Sequence, residues 1–473
     1  MKRLTILLLV LCAGLEAGAQ KYSFTFKPEG ISDSVMYVAR HFRDQLQLMD
    51  TAAKGKDGSF CFKGKREWPR GMYALVRQGG EKALCDFVID DSRQFTITGD
   101  ERLTPATVKV KGSEGNRQMF DYLATVAKAK KEMEDIRKRQ KVAETKEQAN
   151  ADEKALIERM KNYEASARHP KKATLFFDFV NMCDEPDVPE EVEDKATWFR
   201  MHYWDKLFES AKLKVESEKR ALMYSPQLFN KMNYFFYGML YHADSDTICR
   251  EIDRLAARIG NDTALLRYVF DHIEPRYFRS TRNIGWDAVW CHLAGEYYLK
   301  GRCPWATEGT LHNIRYNYNR IKQSLIGAHG QELLMLDTTQ IDAPEHWKSS
   351  HQFPTKYVIL WFWDPDCHHC QAQSAELKVL YDSLQTAPDR RFEVYAVGYE
   401  SDVAKWKNYV KEHDFRWVNV GGQNVNIDYQ EAYNVHGAPT MIILNEKRDI
   451  IMNKVLPIKG LLQFLDNYEK TRK

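Results

Sequence analysis

The chain has 473 residues, room for about three domains of ordinary size. With 44% apolar and 29% charged residues it can bury several cores, which excludes wholesale disorder. The 69 Lys and Arg nearly cancel the 66 Asp and Glu, so the net charge of +3 gives no broad footprint for nucleic acid, and no apolar run approaches the ~20 residues of a membrane-spanning helix.

Lys2 and Arg3 precede an apolar stretch from Leu4 to about Leu15, and Ala17-Gly18-Ala19 offers small residues where a signal peptidase cuts. Residues 1–19 therefore read as a signal peptide, and the protein as exported. Cys12 does not make a lipoprotein signal, because Leu11 stands before it where Gly or Ala is wanted, so lipid anchoring is not expected. Export permits disulfides. Of the nine cysteines, eight lie beyond this segment: Cys61, Cys85, Cys183, Cys249, Cys291, Cys303, Cys367 and Cys370. The first six are scattered. Their pairing is not legible, and most are expected to be small buried core residues.

Residues 20–112 read as β. Tyr22, Phe24 and Phe26 alternate, as do Met72, Ala74 and Val76, then Phe95 and Ile97. Asp57-Gly58, between runs with Leu46/Leu48 and Phe60/Phe62, predicts a hairpin turn. Short strands at this spacing suggest a small sandwich, an interaction or packing module without catalytic clusters. Residues 113–322 read as a helical domain. Lys128 to about Arg168 is rich in Lys and Glu, a long solvated helix or arm whose Met133, Ile136, Val142, Leu156 and Met160 sustain no heptad. Asp244–Gly260 is a cleaner helix with Ile248, Ile252, Leu255 and Ile259 on one face, and Trp286, Val289, Trp290, Leu293 and Tyr297 repeat the pattern. Such stripes serve a core rather than a ligand.

Residues 323–473 alternate strand and helix. Tyr357–Trp363 is a continuous apolar strand of the doubly buried kind. A helix with Leu377, Leu380, Tyr381 and Leu384 follows, then a strand at 392–397, a helix at 402–413, a strand at 416–420 and a helical turn at 428–434. A hairpin of 440–444 with 450–455 precedes a last helix at 459–470. The order is that of an α/β fold with a mixed sheet.

The apolar strand runs into Asp364-Pro365-Asp366-Cys367-His368-His369-Cys370, where the helix begins. Two cysteines three apart at a helix start can close a disulfide with little backbone change, and the helix N-terminus favours a thiolate. Cys367, nearest the start, is the candidate nucleophile and Cys370 the resolving thiol. His369, if protonated, adds positive charge; Asp366 opposes it and is a candidate N-cap. Three other uses compete for a lone C-x-x-C. Zinc needs four ligands, and beyond His368 and His369 no second motif supplies them. A c-type haem needs His at 371, which is Gln371. An inert disulfide is the third.

With these residues the stretch resembles the thioredoxin superfamily, in its exported TlpA/ResA-like branch of thiol–disulfide oxidoreductases. The likeness rests on the strand ending Phe362-Trp363, on Cys367-His368-His369-Cys370, and on Tyr433-Asn434-Val435-His436-Gly437-Ala438-Pro439-Thr440. It covers about residues 325–473. It implies a cis Ala438–Pro439 bond beside the cysteines, presenting the Ala438 backbone to an extended partner polypeptide. The weaker likeness of Asp57–Gly64 and Val110–Ser113 to modules fused ahead of such domains in Gram-negative envelope proteins implies an arrangement and no activity.

There are departures. Asp366 replaces the familiar Trp before the first Cys, Gln373 stands where a carboxylate is common, Trp361 falls where thioredoxin buries an Asp, and Glu376 faces elsewhere. A Cys-x-His-Cys arrangement resembles oxidants and isomerases more than reductases, which leaves the direction of electron flow open. The expectation is thus a multidomain chain: a small β-sandwich, an all-α helical region and a C-terminal α/β thioredoxin-like fold. Its implied activity is periplasmic or envelope thiol–disulfide exchange, with no cofactor beyond a Cys367–Cys370 redox disulfide and no resident metal. The implied partners are cysteine-containing envelope proteins and a membrane or periplasmic thiol donor or acceptor. The alternatives are an envelope assembly protein using the fold as scaffold, and metal handling by Cys367, His368, His369 and Cys370.

Overall fold

A computed structural model describes residues 22–80, 83–168, 174–210, 216–279, 283–337, 346–384, 390–399 and 402–471. Residues 1–19, read as a signal peptide, lie outside the described residues. The chain divides into two compact units, Met1–His242 with Leu255–Tyr268, and Ala243–Arg254 with Val269–Lys473, so the helical stretch is shared between them.

The first unit opens with β1 (Tyr22–Pro28), β2 (Val35–Phe42), β3 (Gln45–Ala53), β4 (Phe60–Gly64), β5 (Gly71–Arg77), β6 (Ala83–Ile89), β7 (Gln94–Gly99) and β8 (Lys109–Lys111). They form two four-stranded sheets, ordered β4-β1-β7-β8 and β3-β2-β5-β6. The sheets meet through aromatic side chains: Phe87 lies 5.0 Å from Phe26 and 5.9 Å from Phe95, centroid to centroid. The expected sandwich is present, with one correction. The Asp57-Gly58 turn, with Gly58 at φ 81°, does not close a hairpin, because β3 pairs with β2 and β4 with β1. A single bridge, Lys54 to Phe60, precedes the divergence of the two strands into different sheets. On β5 the alternation of Met72, Ala74 and Val76 marks a strand that is buried on both faces. Tyr73, stacked on Phe87, points into the sandwich, and Ala74 and Val76 pack with Ala39 on the opposite face.

Seven helices follow: α1 (Glu114–Arg139), α2 (Lys146–Ala167), α3 (Leu175–Cys183), α4 (Lys195–His202), α5 (Asp205–Ser210), α6 (Glu216–Met223) and α7 (Pro226–Tyr234). Ser113 caps α1, and Asn116 in its first turn exchanges two hydrogen bonds with Val88 of β6, at 2.7 and 2.8 Å, fixing the helix to the sheet. The expected single arm is a helical hairpin. Met133, Ile136, Leu156 and Met160 fit no heptad because they face one another across α1 and α2, with Ala149 between them. Arg139–Asp152 and Arg159–Glu132 ion pairs, 2.7 and 2.6 Å, flank that seam.

The helices α8 (Ser245–Ile259) and α9 (Thr263–Phe278) come next, and α8 buries Ile248, Ile252, Leu255 and Ile259 as the stripe predicts. The second unit continues with α10 (Trp286–His292), extended by a wide helical turn over Leu293–Tyr298, and α11 (Glu308–Gln323). Then come β9 (Leu334–Asp337), β10 (His346–Ser349), β11 (Tyr357–Trp363), α12 (His368–Leu384), β12 (Phe392–Gly398), α13 (Val403–Glu412), β13 (Val418–Val425), α14 (Tyr429–Ala432), β14 (Thr440–Leu444), β15 (Ile450–Met452) and α15 (Leu461–Lys470). The seven-stranded sheet runs β10-β9-β13-β12-β11-β14-β15, with β11, β12 and β13 parallel. Sequence reasoning did not find β9 and β10.

All seven residues of β11 are buried, as its unbroken apolar run requires. Trp361 and Trp363 pack with Leu377 and Tyr381 of α12, Trp406 of α13 and Leu465 of α15. Leu360 and Phe362 pack on the other face with Tyr433, Val435 and Ile442. Each such side chain removed from water contributes ~1.5–3 kcal/mol. Trp406 lies so close to β12 that a Cβ on Gly398 would sit 2.9 Å from its ring, so only glycine fits there.

The six scattered cysteines depart from the core expectation. Only Cys291 and Cys303 are fully buried, Cys85 and Cys249 are partly so, Cys61 and Cys183 are exposed, and all are free thiols. On β4 the reason is period two: Phe60 and Phe62 take the inward positions, which turns Cys61 out.

Candidate functional site

The end of β11 and the start of α12 build the site. Asp364 closes a tight turn, its carboxylate accepting from the Asp366 N–H at 2.7 Å and its carbonyl from the Cys367 N–H at 3.2 Å. The helix then begins at His368, so the N-cap is Cys367 and not Asp366. The Cys367 carbonyl accepts from the Gln371 N–H at 3.0 Å, and its Sγ accepts from the Cys370 N–H at 3.2 Å. The sulfur thus fills the role a Ser or Asp oxygen usually has at this position. Negative charge on it meets a backbone N–H and the positive end of a 17-residue helix.

Asp366 is exposed and forms an ion pair with Lys405, in the first turn of α13. That partner lies on another element and gave no signal in the sequence. His368 and His369 are exposed, ring centroids 6.2 Å apart, and neither is among the sulfur's hydrogen-bond partners. Those partners are the Cys370 N–H and the Ala438 carbonyl, the latter 3.6 Å from Cys367 Sγ. The Ala438–Pro439 bond is cis, as the resemblance implies. Residues 71 apart in sequence are therefore in contact at one end of the sheet.

The two cysteines differ in access. Cys367 is partly exposed, whereas Cys370 is fully buried. Burial pushes the Cys370 thiol up to about 12, and its hydrogen bond with Cys367 adds to the shift. Trp361 donates through Nε1 to Ser374 Oγ at 3.0 Å, both side chains buried, so a neutral pair occupies the place where an acid was sought. Gln373 Oε1 is buried without a hydrogen-bond partner, and Glu376 is exposed. Sequence reasoning passed over Asp364, whose backbone lowers the Cys370 thiol while its charge raises it. Among the described residues no three His, Cys, Asp or Glu side chains are grouped to hold a metal ion. Nor is any helix among them long and apolar enough to cross a membrane.

A family profile described as thioredoxin-like matches residues 355–450, spanning β11 through the Pro439 loop. The C-terminal region is a thioredoxin-like domain. Among solved structures, a domain of a possible thiol-disulfide isomerase from Cytophaga hutchinsonii is 26% identical, with 31% of this chain aligned to 95% of that one at a TM-score of 0.27. A thioredoxin-like protein from Bacteroides caccae is 16% identical, with 60% of this chain aligned to 98% of that one at a TM-score of 0.45. The thioredoxin domain of a thiol-disulfide oxidoreductase from Bacteroides vulgatus is 23% identical over 30% of this chain and 96% of that one, TM-score 0.26. No curated protein gives a significant match.

Proposed function

We propose that the protein is an exported thiol–disulfide oxidoreductase of the bacterial envelope, working through Cys367 and Cys370. The observation that carries this reading is the unequal pair: an accessible sulfur capping a helix beside the Ala438 carbonyl, and a buried thiol three residues on. In reduction, the Cys367 thiolate attacks one sulfur of a partner disulfide. A Cys367–partner S–S bond forms, the partner's own bond breaks, and the departing sulfur takes a proton. Cys370 then gives up its proton and attacks Cys367 Sγ. The Cys367–Cys370 bond forms and the second partner thiol leaves, so two electrons pass to the partner. Oxidation is the same sequence reversed.

Ala438, with backbone beside the sulfur, is the groove residue for an extended partner, the geometry of strand addition. Asp366, tied to Lys405, and the exposed His368 and His369 tune the charge around that mouth. The partners are cysteine-containing envelope proteins, and the periplasm is the compartment.

The test is a redox titration of the mature protein in glutathione or dithiothreitol buffers, with thiols trapped by alkylation and located by mass spectrometry. A reversible Cys367–Cys370 couple supports the reading, and its potential separates a reductase from an oxidant or isomerase. A pair that never cycles overturns it.

A further inference from the structure

Helix α11 lies in the same compact unit as the cysteine pair and reaches the loop that leads into Pro439. Arg320, four-fifths of the way along α11 and 13% exposed, is the point of contact. Its guanidinium donates through Nη2 to Asn434 Oδ1 at 3.2 Å and to the His436 ring, and its Nε lies 3.3 Å from Glu431 Oε2. Tyr316, one turn earlier, accepts from Arg320 Nη1 at 3.2 Å and donates to Glu431 Oε1 at 2.9 Å.

The His436 ring sits between Arg320 and Asn434: Arg320 Nη2 lies 2.7 Å from its Nε2 and 3.1 Å from its Nδ1, and Nε2 lies 2.8 Å from Asn434 Oδ1. Burial and the neighbouring guanidinium both hold the His436 pKa below its usual value, which favours a neutral ring beside the cation. Asn434 sits at φ 53°, a left-handed conformation that needs support from its surroundings. A fork-shaped cation therefore holds a turn whose second and fourth following residues are His436 and Ala438.

We propose that Arg320 is a positioning residue of the oxidoreductase: it fixes the 434–438 segment so that the Ala438 backbone is presented to an extended polypeptide. The helical region then takes part in recognising a protein partner without touching the reacting sulfurs. This rests on the thiol–disulfide reading above.

The experiment compares the mature chain with Arg320→Gln, Arg320→Lys and Glu431→Gln on two disulfides, an extended S-glutathionylated peptide and bis(2-hydroxyethyl) disulfide, which is too small to occupy the groove. Arg320→Gln is expected to raise KM for the peptide about tenfold, the scale of losing a charge-assisted, preorganising contact. Turnover of the small disulfide and the Cys367–Cys370 potential are expected to stay unchanged. Glu431→Gln shifts the same KM less, and Arg320→Lys recovers only part of it, because an ammonium cannot fork between Asn434 and His436. An unmoved peptide KM overturns the proposal, and so does an equal loss on both substrates, the mark of a merely structural role. A wild-type chain inert toward both disulfides retires the oxidoreductase reading and this proposal with it.

Discussion

Cys61 and Cys85 lie on strands of the first unit, and Cys367 and Cys370 lie where a strand of the second gives way to a helix, so their sulfurs meet different surroundings. Cys61 projects to solvent from the middle of β4, and Cys85 stands on β6 opposite Leu75, with burial pushing its thiol far up. Inside a strand the backbone N–H groups are committed to the ladder or the neighbouring strand, so they offer a sulfur little. At the end of β11 the chain leaves the sheet and starts a helix, where the first N–H groups lack carbonyl partners. Cys367 takes one of them. On the proposed reading, the reactive sulfur is the one that meets a free backbone donor at an element boundary.

Mutations can break that contrast or sharpen it. The largest effect belongs to Cys367→Ser, which should lower peptide-disulfide turnover by about a thousandfold or more, the scale seen when a nucleophile is removed. Cys61→Ser should leave turnover unchanged; comparable losses from both would erase the distinction. Next is the packing beneath the site. Trp363→Ala, in the fully buried last position of β11, should cost ~3–5 kcal/mol in urea unfolding, as deletions of large aromatics do.

A third test uses pH. The folded chain raises the thiols of Cys291, Cys303 and Cys370 from 9.0 to about 12. The fold therefore binds protons that the unfolded chain releases, so this stability is complete below pH 9 and is lost as pH climbs from 9 toward 12. Denaturant midpoints measured across that interval should fall, and Cys291→Ala should flatten the slope. The smallest effect is expected from Lys405→Ala. Its pair with Asp366 is open to solvent, so alkylation of Cys367 should change by less than about threefold, and less still in high salt.

What could be read from the chain tracked how local the cause was. The seven apolar residues of β11 and the cysteines directly after it are adjacent in sequence, and both the strand and the helix start were legible. Asp366 was misassigned by one residue, because Asp is the commoner cap and nothing local says that a thiol will take that N–H. Lys405, Arg320 and the role of Asp364 are tertiary facts. The strands β9 (LMLD) and β10 (HWKS) have four residues each and no clean alternation, too little for a periodic signal. The break between α1 and α2 carries neither Gly nor Pro at 140–145, so it was visible only once Met133 and Leu156 were seen to face each other. On β5 period two was right, but both faces are covered, and pattern alone could not tell which is the sandwich core.

The cap formed by Cys367 has a consequence for how the protein could be observed. Its sulfur holds the Cys370 amide only while a lone pair is free to point there, so the first turn of α12 and the chemical state of the cysteine are linked. On the proposed reading a mixed disulfide redirects that sulfur toward the partner, and the Cys370 N–H is expected to exchange with solvent deuterium faster than it does beside the free thiol. A single backbone proton would then serve as a clock for each encounter.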